Sequence, residues 1–356
     1  MMMMMIIIWG VPCGCCPGDQ KAALLEFRSL YVGNSSAGGD FSNWNASTSC
    51  CEWSGLSCDS RHQFVMALGL LDTGFMGELL EAGVSSDVLT PLFLLTSLRY
   101  LDLSQIYIRG GIPPGIGNLT QLQKLDLSNN RFSGPIPPQL FSALPHLQQL
   151  GCDGNALEGK IPIEIGNLTN LVDVFMHGNK LSGEIPATLL QLHKLETLYL
   201  KDNFLSGEIP SVQNMTRLID LKLDNNFLSG EVPTWVFELS MIQRLYLGRN
   251  NLTFAYAKQI APKSRFTQVS LISCNIASNG IPLWLANQSD LETLDLRSNR
   301  MTGTFPGWLA EMHLTDLVLA DNLLQDFESS EQSLSRADSS NSFQSHKPSN
   351  FRPLGK

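Results

Sequence analysis

The pattern L-x-x-L-x-L-x-x-N-x-L returns ten times between Leu98 and Leu324. Its repeats open at Leu98, Leu122, Leu147, Leu171, Leu195, Leu218, Ile242, Phe266, Leu291 and Leu314, at intervals of 23 to 25 residues. The fourth, sixth and eleventh positions are apolar in all ten repeats. The chain is only 43% hydrophobic overall, so these columns are not chance. A further repeat opens at Val65, with Val65, Leu68 and Leu70, and runs long to Leu98. A fixed period of this length restricts the chain to an array in which each repeat packs against its neighbours in sequence.

Within a repeat, Leu-x-Leu sets two apolar side chains on either side of a variable one, the period of a strand with one buried face. The ninth position is Asn130, Asn155, Asn179, Asn203, Asn226, Asn250, Asn299 and Asn322. An inward Asn offers donors and an acceptor to the backbone of adjacent coils. Without it, buried amides left unpaired would cost about 1–3 kcal/mol each. Gly then Ile-Pro follows, as at Gly134/Ile136-Pro137, Gly159/Ile161-Pro162, Gly183/Ile185-Pro186 and Gly207/Ile209-Pro210. Gly tolerates a sharp bend, and Pro fixes φ while removing a donor, which predicts a non-helical return path. The inward aliphatics of one coil contribute roughly 1.5–3 kcal/mol each, against about 1–2 kcal/mol of backbone entropy for every residue ordered. Stacking must supply the remainder, so the expected architecture is an α/β solenoid with a concave parallel β-sheet.

The repeat L-x-x-L-x-L-x-x-N-x-L-x-G-x-I-P resembles the plant-specific subclass of leucine-rich repeats, and the likeness covers about residues 16–324. It implies a right-handed leucine-rich repeat superhelix of about eleven repeats over residues 61–324, the last one incomplete. Ahead of them, residues 19–30 place apolar side chains at helical spacing, with Asp19 as the expected N-cap. Trp44 and then Cys50-Cys51-Glu52-Trp53-Ser54-Gly55-Leu56-Ser57-Cys58 follow. The first coil of a solenoid exposes an apolar end and needs a cap. Residues 16–60 resemble the N-terminal cysteine-rich cap of plant extracellular leucine-rich repeat proteins, and that likeness implies disulfides Cys16–Cys50 and Cys51–Cys58. Zinc is the rival use of these cysteines. Adjacent cysteines chelate one tetrahedral ion poorly and the usual two-residue spacer is missing, so no metal is expected. Cys152 falls in a column otherwise Leu or Met, and Cys274 replaces a ladder Asn; both are expected as buried structural thiols.

Residues 1–15 read as a degenerate signal segment: Met1 to Val11 is apolar and short, without a basic n-region or a clean small-residue cleavage site. Sequons for N-glycosylation stand at Asn34, Asn45, Asn118, Asn167, Asn214, Asn251 and Asn287. With the disulfide cap they favour an oxidising compartment. Residues 325–356 turn Ser-, Gln- and Asn-rich and lose the apolar columns, which predicts a disordered Ser-rich tail. The 24 Lys+Arg against 33 Asp+Glu, a formal charge of -9, argue against a nucleic-acid partner. No apolar run reaches the roughly 18 residues of a membrane-spanning helix. Kinase signatures, G-x-S-x-G, G-x-x-x-x-G-K-[ST] and H-E-x-x-H are all missing, and the six histidines form no cluster in sequence. Neither an enzyme nor a cofactor is expected.

In a sheet of this kind the variable strand residues face a ligand. The middle repeats offer Phe175, His177, Tyr199, Lys201, Lys222, Asp224, Arg244, Tyr246 and Arg249 on one surface. Aromatics interleaved with Arg and Lys are what protein-binding hot spots use, although aromatics also simply suit β positions. The repeat from Ile242 loses Gly and Ile-Pro over residues 253–258, and the next recovers Ile281-Pro282 one residue late. Ile281-Pro282-Leu283-Trp284-Leu285-Ala286-Asn287-Gln288, with Cys274-Asn275 ahead of it, resembles plant receptor-like proteins more than short secreted inhibitors. The resemblance implies a non-catalytic module at the cell surface that binds a protein or peptide on the concave face, with a co-receptor as a further partner. Its setting would be defence or developmental signalling, with the chain truncated before a membrane anchor. A secreted protein similar to the polygalacturonase inhibitors and an intracellular repeat scaffold stay open as alternatives.

Overall fold

The computed structural model describes residues 16–32, 41–70, 83–211, 215–254, 261–276, 278 and 280–325. The expected signal segment, the sequons at Asn34 and Asn214 and the tail from residue 326 lie outside the described residues. So do residues 255–260, within the irregular repeat. The chain divides into two compact units, Met1–Ala156 and Leu157–Lys356.

The first unit opens with helix α1, Gly18–Val32, which buries Ala23, Leu24, Phe27 and Tyr31. Asp19 lies inside its first turn rather than at the N-cap, and its carboxylate accepts from Gln20 N–H at 2.9 Å. Phe27 packs on Phe41 and Trp44, and Trp44 stacks on Trp53 at 5.2 Å between ring centroids. Phe27, Phe41, Trp44 and Trp53 are all buried, so these rings form the core of the cap. Cys16 is joined to Cys50 and Cys51 to Cys58, the pairing that the resemblance implies. The strand Leu56–Cys58 runs antiparallel to Val65–Gly69, so the sheet of this unit begins with a hairpin rather than a parallel pair. Parallel strands follow at Tyr100–Asp102, Lys124–Asp126 and Gln149–Gly151, which keep Leu68, Leu101, Leu125 and Leu150 in register and buried.

In the second unit the strands Asp173–Phe175, Thr197–Tyr199, Asp220–Lys222, Arg244–Tyr246, Gln268–Ser270, Thr293–Asp295 and Asp316–Val318 pair in parallel. Val174, Leu198, Leu221, Leu245, Val269, Leu294 and Leu317 form the buried column. The ladder Asn turns inward. At Asn203, Oδ1 accepts from Leu181 N–H at 3.0 Å, while Nδ2 donates to Met176 O at 3.0 Å and Leu200 O at 3.1 Å. One side chain thus ties its own turn to the preceding coil. Where Cys274 replaces Asn, its thiol only approaches Leu247 O and Ile272 O, at 3.7 Å each.

The return path is not the non-helical one that Gly and Ile-Pro predict. Short 3-10 turns cross it at Pro114–Asn118, Ile163–Asn167, Leu189–Gln191 and Leu283–Asn287, and short α-turns at Pro138–Ala143, Trp235–Glu238 and Gly307–Glu311. Proline permits this because the first turn of a helix has no partner for its N–H anyway. A second parallel ladder lies between the Asn turn and Ile-Pro. In the second unit it contains Lys180–Gly183, Phe204–Glu208, Phe227–Glu231 and Asn251–Thr253. Gly207 closes one of these bends at φ +80°, where a Cβ would lie 2.8 Å from Glu184 Cγ. Gln325, expected to begin the tail, still belongs to the last coil: it bridges Thr304, and its N–H donates to Gly303 O at 2.8 Å.

Candidate functional site

The variable residues of four successive strands meet on the solvent side of the second unit's main sheet. Register sets Phe175, Tyr199, Lys222 and Tyr246 in one row, and Thr197, Asp220, Arg244 and Gln268 in the row beside it. Each side chain is fixed because the leucine next to it is locked in the core, and strand alternation leaves it only the outer face.

At the centre is Asp220, whose side chain is fully buried although its strand position faces outward. Its Oδ2 accepts from Arg244 Nε at 2.6 Å and from the Tyr199 hydroxyl, and Lys222 Nζ lies 4.0 Å away. Lys222 Nζ sits 4.2 Å above the centre of the Tyr199 ring and 5.0 Å from that of Tyr246, a cation between two π faces. Phe175 meets Tyr199 edge-on at 5.2 Å, and His177 meets it at 6.0 Å. Tyr246 donates to Gln268 Oε1 at 2.7 Å. Burial and the Asp220 carboxylate push the Tyr199 phenol far above its ordinary value, and burial also raises Tyr246. The hydrogen bond to Asp220 raises Arg244 further still. Both tyrosines therefore act as neutral donors at any physiological pH. The second carboxylate oxygen, Asp220 Oδ1, is buried with no hydrogen-bond partner among the described residues.

Of the nine residues expected from sequence, Phe175, His177, Tyr199, Lys222, Arg244 and Tyr246 are brought together. Lys201 and Asp224 stand in the next row with His177. Lys201 pairs with Asp202 at 3.4 Å, and desolvation raises the Asp224 carboxyl. Arg249 is separate: it occupies the turn after its strand, at φ 53°, and is exposed. Asp220 was missed, although Arg244 in the same column of the next repeat was not. An acid and a base one repeat apart in one column were the signal.

In the cap, the sulfurs of Cys50, Cys51 and Cys58 lie within 4.8 Å of one another. All three are in disulfides, and a metal would need them as thiolates. Cys152 and Cys274 are buried and take part in neither of these disulfides. Of the sequons within the described residues, Asn118, Asn167, Asn251 and Asn287 are exposed. Asn45 is half-buried, with Nδ2 donating to Asn43 O at 3.1 Å.

Family models match this chain as a leucine rich repeat N-terminal domain over residues 17–59 and as leucine rich repeats over residues 96–157, 194–213 and 290–312. The chain thus carries leucine-rich repeats behind a leucine rich repeat N-terminal domain. Over 103 residues it is 37% identical to Receptor-like protein 12 of Arabidopsis thaliana, which is 28% of this chain and 11% of that protein. Over 104 residues it is 34% identical to Receptor-like protein 9DC1 of Solanum pimpinellifolium, 25% of this chain and 11% of that protein. The match thus spans about a ninth of these relatives' length.

Among solved structures, the Arabidopsis receptor kinase HAESA, in complex with the peptide hormone IDA and the co-receptor SERK1, superposes with a TM-score of 0.67 at 25% identity. That alignment covers 86% of this chain and 54% of HAESA. A plant ice-binding protein superposes with a TM-score of 0.63 at 26% identity, over 87% of this chain and 88% of that one. One repeat fold thus carries a peptide receptor and an ice binder, so the ligand must be argued from the side chains. Among the described residues, no helix is long and apolar enough to cross a membrane.

Proposed function

We propose that this chain is a non-catalytic recognition module of a plant cell-surface receptor-like protein, in defence or developmental signalling. It binds a protein or peptide ligand on the strand face built around Asp220, and a co-receptor is a further partner. The single observation that carries this reading is the Phe175–Tyr199–Lys222–Tyr246 row held rigid by a buried carboxylate. Aromatic and cationic side chains fixed in advance lose little entropy when a partner arrives. The HAESA complex with its peptide hormone supports this class of ligand, and the receptor-like relatives support the receptor-like setting. The disulfide-bonded cap supports an extracellular setting.

The test is selection from a displayed peptide library on the immobilised full chain, with counter-screening on Phe175→Ala/Lys222→Glu. Phe175 and Lys222 are half-buried on the outer face, so the core leucines are untouched by the change. Peptides that bind the parent and lose at least about tenfold on the variant, roughly 1.4 kcal/mol, support the face as the site. Peptides that bind both chains equally would place recognition elsewhere.

A further inference from the structure

The second ladder of the Leu157–Lys356 unit carries an apolar patch that recognition on the main sheet leaves unused. Phe204 opens the strand Phe204–Glu208 and Phe227 opens Phe227–Glu231, both with the sequence Phe-Leu-Ser-Gly-Glu. The rings are 50% and 63% exposed, and they stack with centroids 6.0 Å apart and planes 14° from parallel. Leu205, Leu228 and Leu252 beside them are buried, so strand alternation turns Phe204, Phe227 and Asn251 outward together.

Register then places Asn251. Phe227 pairs with Ser206, which makes Phe204 its diagonal neighbour, two residues earlier on the adjacent strand. Asn251 pairs with Ser229, so Phe227 stands to Asn251 as Phe204 stands to Phe227. Asn251 occupies the place of a third ring in the stack. It is exposed, and it opens the sequon Asn251-Leu252-Thr253. Unlike Asn45, whose amide nitrogen is held by a backbone carbonyl, the Asn251 carboxamide has no hydrogen-bond partner among the described residues.

We propose that Asn251 carries an N-linked glycan whose first N-acetylglucosamine packs against Phe227 and Phe204, so that the sugar covers the patch. The amide nitrogen attacks the anomeric carbon of a lipid pyrophosphate-linked oligosaccharide, the donor of the secretory pathway. The N–C1 bond forms, the C1–O bond to phosphate breaks with its electron pair leaving on the lipid pyrophosphate, and the amide gives up one proton. The C–H face of the sugar then lies on flat, exposed rings, the contact that the positive edge and negative face of aromatic side chains favour. Beside the rings, a groove of about 280 Å³ carries Asp202 and Asn225, bonded to each other at 2.7 Å, as partners for sugar hydroxyls. This inference stands independently of what the main sheet binds.

The test uses the full chain secreted from glycosylating plant cells. Glycopeptide mass spectrometry should find Asn251 occupied, with Asn287 as the reference sequon of the same unit. Proton NMR should place the N-acetyl or ring protons of the first sugar upfield of free-glycan positions. Phe204→Ala/Phe227→Ala should return them to those positions. Both rings point away from the core, so the variant keeps its fold. As a second measurement, trimming to one N-acetylglucosamine should leave Tm unchanged, and complete removal should lower it by about 2–4 °C in the parent only. An unoccupied Asn251, sugar protons at free-glycan positions, or equal Tm losses in parent and variant would each overturn the proposal.

Discussion

Asp220 offers the sharpest quantitative test of how the strand face is organised. Its Oδ2 receives two hydrogen bonds, from Arg244 Nε at 2.6 Å and from the Tyr199 hydroxyl, and each bond to a charged group contributes about 1.5–3 kcal/mol. Against that, the side chain is fully buried, and Oδ1 lacks a partner, a desolvation cost of about 1–3 kcal/mol that Asp220→Ala would relieve. Arg244 keeps 37% of its side chain in solvent, so water takes up part of its charge once the carboxylate is gone. The balance is a loss of roughly 2 kcal/mol for Asp220→Ala. Arg244→Met should cost more, about 3 kcal/mol, because it leaves the buried carboxylate without its strongest donor, and the double variant should show a coupling of about 1–2 kcal/mol. The assay is guanidinium unfolding followed through Trp235 and Trp284, both buried in the same unit, with m required to stay constant. Additivity of the two substitutions within about 0.5 kcal/mol would refute the idea that Asp220 organises the face.

Three further outcomes follow from burial, pKa and connectivity. Burial pushes the Cys274 thiol up to about 12 and Cys152 higher still, so alkylation at pH 8 should leave both unlabelled until the chain is unfolded, as peptide mapping would read. Asp224 has its folded-state pKa raised by desolvation, so the native chain binds the proton more tightly and stability falls as pH rises through that window. Asp224→Asn should therefore be more stable than the parent at pH 7, with the advantage shrinking toward pH 4 in parallel denaturation curves. In the chain-entropy account, the 34-residue separation of Cys16–Cys50 contributes about 4 kcal/mol and the 7-residue separation of Cys51–Cys58 about 2 kcal/mol. Cys16→Ala/Cys50→Ala should thus lower the denaturation midpoint of the cap more than Cys51→Ala/Cys58→Ala.

The core was legible because its columns answer to one requirement each. A position such as Leu198 must be apolar whatever its neighbours are, and a position such as Asn203 must both donate and accept toward two coils, which few side chains can do. The return path was less legible. Ile-Pro fixes φ without saying whether the next residues extend or turn, and packing between neighbouring coils decides, giving a 3-10 turn at Ile163–Asn167 and an α-turn at Trp235–Glu238. The stacked Phe204 and Phe227 are hidden in the sequence for another reason. They open two identical Phe-Leu-Ser-Gly-Glu segments in the second strand of their repeats, and only the register between those strands brings the rings together.

The face itself was half legible, and Asp220 shows why. A variable column read down the sequence suggests that each residue is chosen independently, since solvent accepts almost anything at an outward strand position. In space, one carboxylate holds Tyr199 from the preceding coil and Arg244 from the following one, while Lys222 on its own strand lies between the rings of Tyr199 and Tyr246. These residues are coupled: Tyr199 without Asp220 loses the acceptor for its hydroxyl, and Asp220 without Arg244 becomes a buried charge short of its strongest donor. The recognition element is therefore a group spanning three coils, about the reach of one side chain on either side of a strand spacing near 4.8 Å. Substituting one member should alter the presentation of the others, which is why the ligand face answers to pairs of columns one repeat apart and not to any column alone.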